Sequence, residues 1–327
     1  MSLILGIESS CDETGIAVVR DGRIVLANEV ASQIDVHKEF GGVVPEIASR
    51  QHTKIISQLV DKALRDADVP HTALDGIAVT VGPGLLGSLM VGTCFGKALS
   101  FVWKKPFVPV HHIEGHIYSA FLADEAPEFP FLALIVSGGH TQLIRCDEPH
   151  RYEILGTTRD DAVGESFDKV ARLLGLPYPG GPSIQKAAAE GNPEAYNFPR
   201  AMAMKDTLDF SYSGLKTAVL YALRENATPN VADLAASFQA AAVDILIRKS
   251  IQALAHTGLP RLVVAGGVAA NKLLRDRLAT DMPVPVFVPP FKYCVDNGAM
   301  IAAAGAARLA NGYAATLDAL PSASLAL

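Results

Sequence analysis

Apolar positions fall into short runs near the start of the chain, punctuated by small and polar residues. Leu3 to Ile7, Thr14 to Val19 and Arg23 to Glu29 read as three strands, the last two joined by Asp21-Gly22, a tight-hairpin signal. The same pattern returns near residue 130: Phe131 to Ser137, Thr141 to Cys146 and Tyr152 to Gly156, with Gly138-Gly139 at the first turn. In both copies that turn is small and polar, SSCDET in one and SGGHT in the other. The recurrence predicts duplicated α/β domains facing each other across a cleft.

Between the copies the apolar period changes from two to that of a helix. Glu46 to Ala67 carries Ile47, Ile55, Ile56, Leu59, Ala63 and Leu64 on one stripe, with Pro45 as a start signal. Ala78 to Val81 and Phe107 to Val110 read as buried strands flanking a helix over Leu85 to Phe101. Strands alternating with helices predict a largely parallel, covered sheet. Downstream, Val231 to His256 predicts a long helix stopped by Gly258, Arg261 to Ala265 a strand, Asn271 to Leu278 a helix, Pro283 to Val288 a last strand and Gly298 to Leu309 a last helix. The 177–216 stretch, rich in Pro, Gly and aromatic residues, predicts insertions and loops around a site. The lobes are expected at 1–128, joined by part of the C-terminal helix region, and 129–327.

Half of the 327 residues are apolar and only 19% are charged, which excludes a disordered chain. The net charge of −6 supplies no global field for nucleic acid, so such a partner needs local basic residues, for which Arg50, Lys54, Lys205, Lys216 and Arg248 are candidates. Cys11, Cys94, Cys146 and Cys294 are scattered without CxxC spacing, which points to a reducing cytoplasm rather than a disulfide framework. The N-terminus runs straight into a strand, with no signal-peptide pattern. The uncharged stretch Gly76 to Gly96 is broken by Gly82-Pro83-Gly84, so it reads as strand, loop and buried helix rather than a membrane span.

The candidate chemistry begins with His112 and His116 in PVHHIEGHIYSAFL, where strand pattern gives way to helix. Residues at i and i+4 share a helix face, so two imidazoles there can share one metal ion. A zinc protease of the HExxH type needs its glutamate directly after the first histidine; Glu114 follows His112 by two, about 200° around a helix, and points away from the pair. Starting from His111 makes the spacing five, which no longer shares a face. His111, His37 and His140 read as satisfied core or surface residues. Three strand ends open into small-residue turns, Glu8-Ser9-Ser10, Ser137-Gly138-Gly139 and Gly266-Gly267, where backbone N–H groups can approach phosphate or adenosine oxygens. Together these suggest a nucleotide in the interdomain cleft.

The strand-turn-strand copies and the late AGG turn resemble the actin/Hsp70/sugar-kinase (ASKHA, RNase H-like) fold. The motifs GIESSCDETG, GGVVPEIASRQH, VGPGLLGSLMVG, VHHIEGH, IVSGGHTQL, GESFDKVARLLGLPYPGGP, FSYSGLKT, VAGGVAANKLLR and VDNGAM follow one another over positions 6 to 300 and resemble those of the TsaD/Kae family. The resemblance implies transfer of a threonylcarbamoyl group from threonylcarbamoyl-adenylate to N6 of the tRNA adenosine next to the anticodon in tRNAs that read codons beginning with adenine, with release of AMP. It implies His112, His116 and Asp296 as ligands of one divalent metal, Fe2+ or Zn2+, with the third ligand in the second lobe. It implies Ile135, Val136, Ser137, Gly138, Gly139, Asp168, Gly181 and Asn271 around the adenylate. It further implies a cytoplasmic enzyme without a membrane, working on the tRNA anticodon loop with a metal-free paralogous partner of the same fold and a P-loop ATPase.

Asp12 and Glu13, in the first turn, are candidates for orienting the attacking amine or supporting the metal. Taken singly, Asp296 also reads as an N-cap and Asp168 as a first-turn helix acid. Where some relatives carry an acid after GGP, this chain has Ser183-Ile184-Gln185. The alternatives are a zinc metalloprotease (glycoprotease) and a sugar-kinase-like phosphotransferase, which the fold permits but which has no need of the histidine pair.

Overall fold

The computed structural model describes residues 2–202, 206–225 and 228–327; Lys205, one of the candidate phosphate contacts, lies outside them. The strands are β1 (Leu3–Glu8), β2 (Glu13–Arg20), β3 (Ile24–Ser32), β4 (Gly76–Gly82), β5 (Phe107–His111), β6 (Phe131–Val136), β7 (Thr141–Glu148), β8 (Arg151–Thr157), β9 (Leu262–Ala265) and β10 (Val286–Phe287). The helices are α1 (Ile34–His37), α2 (Pro45–Asp66), α3 (Leu86–Trp103), α4 (His112–Ser119), α5 (Val163–Leu173), α6 (Gly180–Ala188), α7 (Ser213–Glu225), α8 (Val231–Thr257), α9 (Lys272–Asp281) and α10 (Gly298–Ala310). The chain divides into two compact units, Met1–Ala126 with Pro289–Leu327, and Pro127–Val288.

The first unit is built on a sheet ordered β3-β2-β1-β4-β5, antiparallel through β1, β2 and β3 and parallel from β1 to β4 and β5. Strand alternation sorts its side chains to two faces. Leu5, Ile7, Ile16 and Val18 join Ile56, Leu59, Val60 and Ala63 of α2 in one buried cluster. Ile4, Ala17 and Val19 join Met300, Ala303 and Ala304 of α10 in the other. Two glycines make the α10 contact possible: a Cβ on Gly6 would stand 2.2 Å from the Gly298 carbonyl oxygen, and one on Gly298 would stand 2.4 Å from the Ala17 nitrogen. Helix α3 is long and apolar enough to cross a membrane, yet its small residues meet the sheet side: Gly92 lies against Ser9 and Gly96 against Val79.

The second unit repeats the plan as β10-β9-β6-β7-β8, with β6, β7 and β8 antiparallel and β6, β9 and β10 parallel. Position for position, β6 to β10 stand where β1 to β5 stand in the first sheet. Helices α5, α6 and α8 pack on one another, with Phe167 of α5 edge-on to Phe238 of α8.

Three sequence expectations change here. Asp296 belongs to the first unit and not to the second lobe, since it precedes α10, the part of the C-terminal helix region that the Gly6–Gly298 approach draws onto β1. The 177–216 stretch holds all of α6 and the start of α7; PYPGGP begins a helix there, with Pro179 at its N-cap. The last strand is two residues, Val286–Phe287, since proline at 283 and 285 removes ladder donors before it.

Candidate metal centre and glycine turns

Strand β5 ends at His111, and α4 begins on the next residue, so its first turn carries His112 out of the sheet and His116 one turn later. The two rings meet edge to face, with centroids 4.7 Å apart. Asp296 arrives two residues before α10; Asn297, not Asp296, caps that helix by accepting from the Met300 N–H at 3.0 Å. The Asp296 carboxylate is thereby left for the histidines: its Oδ1 stands 3.2 Å from His116 Nε2 and 3.8 Å from His112 Nε2. One ligand atom from each of the three residues lies within 4.8 Å of the others.

The donor chemistry fits a divalent cation. His116 is fully buried, and neither of its ring nitrogens makes a hydrogen bond. An imidazole in that state loses its hydration without replacement, which a coordinate bond would restore. His112 differs, for its Nδ1 stands 3.2 Å from Glu8 Oε2 and 3.2 Å from Ser10 Oγ. A carboxylate accepting from Nδ1–H fixes the tautomer that leaves Nε2 as the ligand atom. Glu8 is itself fully buried, accepting from the Ser10 N–H at 2.5 Å and from Thr80 Oγ1 at 2.6 Å.

Charge follows from this packing. Burial disfavours the imidazolium of His112, but the carboxylates of Asp296 and Glu8 outweigh it and raise its pKa to about 9. Burial likewise pushes the Glu8 carboxyl up, while the charge of His112 and its hydrogen bond bring it below the usual carboxylate range. Glu13 goes the other way: burial first, then Asp12 and Asp296, raise its pKa to about 9. In the cation-free protein Glu13 therefore holds its proton at neutral pH. The same burial and the neighbouring acids push the Cys11 thiol well up. His111, whose imidazolium burial disfavours, falls to about 4.

Glu114 is fully buried and accepts from Arg308 Nε at 2.5 Å. Its carboxylate is thus committed to α10, which removes the residue a protease of this spacing would need as base. Glu8 is the functional residue that the sequence reading took only as part of a turn. Its signal was available, since a carboxylate ending the apolar run LILGIE is buried with its strand and needs a charge partner.

In the second unit, the turn after β6 closes on itself: the Ser137 N–H donates to the His140 carbonyl at 2.8 Å, and Ser137 Oγ accepts from the His140 N–H at 3.1 Å. Gly138 and Gly139 project from it, and a Cβ on either would meet nothing within 4 Å. Ile135 and Val136 are wholly buried and paired within the sheet, so the structure exposes neither their side chains nor their backbone to a ligand. Gly181 has similar open space, and Asp168 Oδ1 accepts from the neighbouring Gly180 N–H at 2.7 Å. Asn271 caps α9 by accepting from the Leu274 N–H at 3.0 Å and donates to Gln239 Oε1 at 2.8 Å. Gln185 Oε1 accepts from the Lys272 N–H at 2.7 Å, tying α6 to the start of α9. Of the candidate phosphate contacts, Arg50 pairs with Glu46 and Arg248 lies 4.0 Å from Asp244, whereas Lys54 is exposed.

Residues 24–303 match the family of TsaD, tRNA N6-adenosine threonylcarbamoyltransferase. The chain is 54% identical to the tRNA N6-adenosine threonylcarbamoyltransferase of Desulfitobacterium hafniense (strain Y51), over 99% of this chain and 97% of that protein. It is 53% identical to the enzyme of the same name from Syntrophotalea carbinolica, over 97% and 94%. Among solved structures, it is similar to T. kodakarensis HypF, with a TM-score of 0.65 at 15% identity over 95% of this chain and 48% of that one. It is also similar to component A of the Acidaminococcus fermentans (R)-2-hydroxyglutaryl-CoA dehydratase, with a TM-score of 0.58 at 14% identity over 95% and 100%. At such identities these two similarities speak for the duplicated actin-like fold alone.

Proposed function

Because the chain belongs to the TsaD family of tRNA N6-adenosine threonylcarbamoyltransferases, we propose that His112, His116 and Asp296 hold the divalent cation of its transfer site. The reaction is t6A formation: the threonylcarbamoyl group passes from threonylcarbamoyl-adenylate to N6 of a tRNA adenosine, and AMP leaves. The observation that carries the metal reading is the buried His116 ring, bare of hydrogen bonds and 3.2 Å from the Asp296 carboxylate. Two imidazoles and one carboxylate suit iron or zinc and leave positions for substrate oxygens. A cation held there supplies electrophilic activation of the carbamoyl carbonyl or neutralises charge on the departing phosphate.

The protein's own groups supply the rest. Glu8 keeps the His112 ring turned with Nε2 toward Asp296. Asp12 precedes β2 and Glu13 begins it, both near Asp296, and they orient the adenine amine, Glu13 as a hydrogen-bond donor while it keeps its proton. In the second unit, the N–H groups of Gly138 and Gly139 meet the adenylate, and the open side of those glycines admits it. Asp168, Gly181 and Asn271 complete that group, and Ile135 and Val136 hold its turn from within β6. The amine is a weak nucleophile and the mixed anhydride is already activated, so positioning and electrostatics carry most of the rate. The net charge of −6 supports tRNA binding assisted by partners, a metal-free paralogue and a P-loop ATPase, in the cytoplasm.

Transfer of labelled threonylcarbamoyl to tRNA, measured for the wild type, His116→Ala and Asp296→Ala, tests the assignment. Each variant is expected to lose at least about 100-fold, the upper end of what even indirect disturbance of a metal site costs. Full activity in both would refute the metal reading.

A further inference from the structure

The segment after α10 does not run free. Ala315 bridges to Phe107 of β5, Lys97 of α3 donates to the Ala319 carbonyl, the Ser322 N–H donates to the Val81 carbonyl at 2.8 Å, and the Gly84 N–H donates to the Ala323 carbonyl at 3.2 Å. The approach is close: a Cβ on Gly82 would stand 2.2 Å from the Ser322 oxygen and 2.9 Å from the Leu325 Cβ. Ala315, Ala319 and Leu325 pack against the buried cluster beneath α2. The last pin is His111 Nε2, which lies 3.1 Å from the Leu325 carbonyl oxygen.

His111 also caps α4. Its Nδ1 accepts from the Ile113 N–H at 3.1 Å. A backbone N–H only donates and a carbonyl only accepts, so the ring is fixed as the Nε2–H tautomer with both nitrogens engaged. The ring is nearly buried, immediately precedes His112 in the chain, and sets the start of a helix only eight residues long. Any rotation of that first turn would have to break the bond to Leu325, the cap on Ile113 or the Glu8 contact of His112.

We propose that residues 315–325 form a strap that, through His111, fixes the first turn of α4 and aims His112 at the cation site. His111 is on this account a positioning residue, not a ligand. The inference rests on the metal reading of His112, His116 and Asp296.

The test is Co2+ binding by the full chain, followed by its visible absorption and without tRNA or donor. His111→Asn keeps an oxygen where Nδ1 stands but does not reach Leu325, whereas His111→Gln places an amide near Nε2. Ser322→Pro removes the N–H that Val81 accepts and so unpins the strap far from the ligands. His111→Asn and Ser322→Pro are each expected to raise the Co2+ Kd about tenfold, the double variant no further, and His111→Gln less than about threefold. Far-UV circular dichroism confirms folding, and Ser322→Pro carries the test alone if His111→Asn does not fold. Wild-type affinity in His111→Asn or Ser322→Pro, an equal loss in His111→Gln, or additive losses in the double variant would overturn the strap. His116→Ala is the control: retention of the wild-type Co2+ spectrum there would refute the metal reading itself.

Discussion

Arg308→Met should destabilise the protein far more than Glu114→Gln, although the two side chains form one pair. Glu114 is fully buried, and the Arg308 guanidinium meets its Oε2 at 2.5 Å while remaining 24% exposed. Removing the arginine takes the cationic partner from a fully buried carboxylate; losing one partner of a buried pair costs about 3–5 kcal/mol. The partial exposure of Arg308 lets some water into the gap, which favours the lower end, about 3 kcal/mol. Glu114→Gln instead removes the charge that needed compensation and keeps an acceptor, leaving a guanidinium that solvent already touches, so the expected cost is about 1 kcal/mol. At roughly 2–4 °C per kcal/mol for a body of this size, the melting midpoints should fall by about 6–12 °C and about 2–4 °C. Circular dichroism melts in the presence of a chelator read the difference without a metal contribution. Glu114→Gln should also keep threonylcarbamoyl transfer near the wild-type rate, since the carboxylate faces α10. Equal losses of stability, or abolished transfer in Glu114→Gln, would show that Glu114 does more than pair with Arg308.

Metal binding should depend on pH through His112. Its raised pKa means that the cation-free site holds a proton below about pH 9, which a metal ion must displace, so the apparent Kd of the chain for Zn2+ should tighten about tenfold from pH 7 to pH 8. Glu8→Gln, which removes one of the two carboxylates holding that proton, should flatten the dependence; an unchanged slope would refute the assigned cause. In the second unit, Gly138→Ala should leave the melting midpoint within about 1 °C of wild type, because its Cβ meets nothing, yet raise the KM for threonylcarbamoyl-adenylate by crowding its approach. Gly6→Ala should do the reverse and destabilise by more than about 3 kcal/mol, read by chemical denaturation, because its Cβ would enter the start of α10.

How much of this was legible in the sequence depends on the range of the signal involved. The strands β1 to β3 and β6 to β8 lie where their local alternation put them, and the i, i+4 spacing of His112 and His116 needs only the helix that the sequence around them favours. The unit that carries Asp296 was not legible, because it is decided by Gly6 and Gly298, nearly three hundred residues apart, whose missing side chains let α10 lie on β1. Helix α6 was hidden by the prolines and glycines before it, although PYPGGP is as good a start as a loop. Asn271 is an adenylate contact only by the family resemblance, and the fold employs both ends of its amide, on Leu274 and Gln239.

A common rule connects Glu8, His111 and His112: each ends a buried strand or follows directly after it, where the apolar run stops but the burial does not, and Thr80 lies two residues before the end of β4. A polar group in that position must find a partner, and the partners available are the groups ending the neighbouring strands. Thr80 of β4 and His112 after β5 therefore converge on Glu8 of β1, the three strands being adjacent in the sheet. The chemistry sits where it does because strand order brings these ends together, and His116 is the exception that marks it, the one ring in the group whose nitrogens the fold leaves without a hydrogen bond.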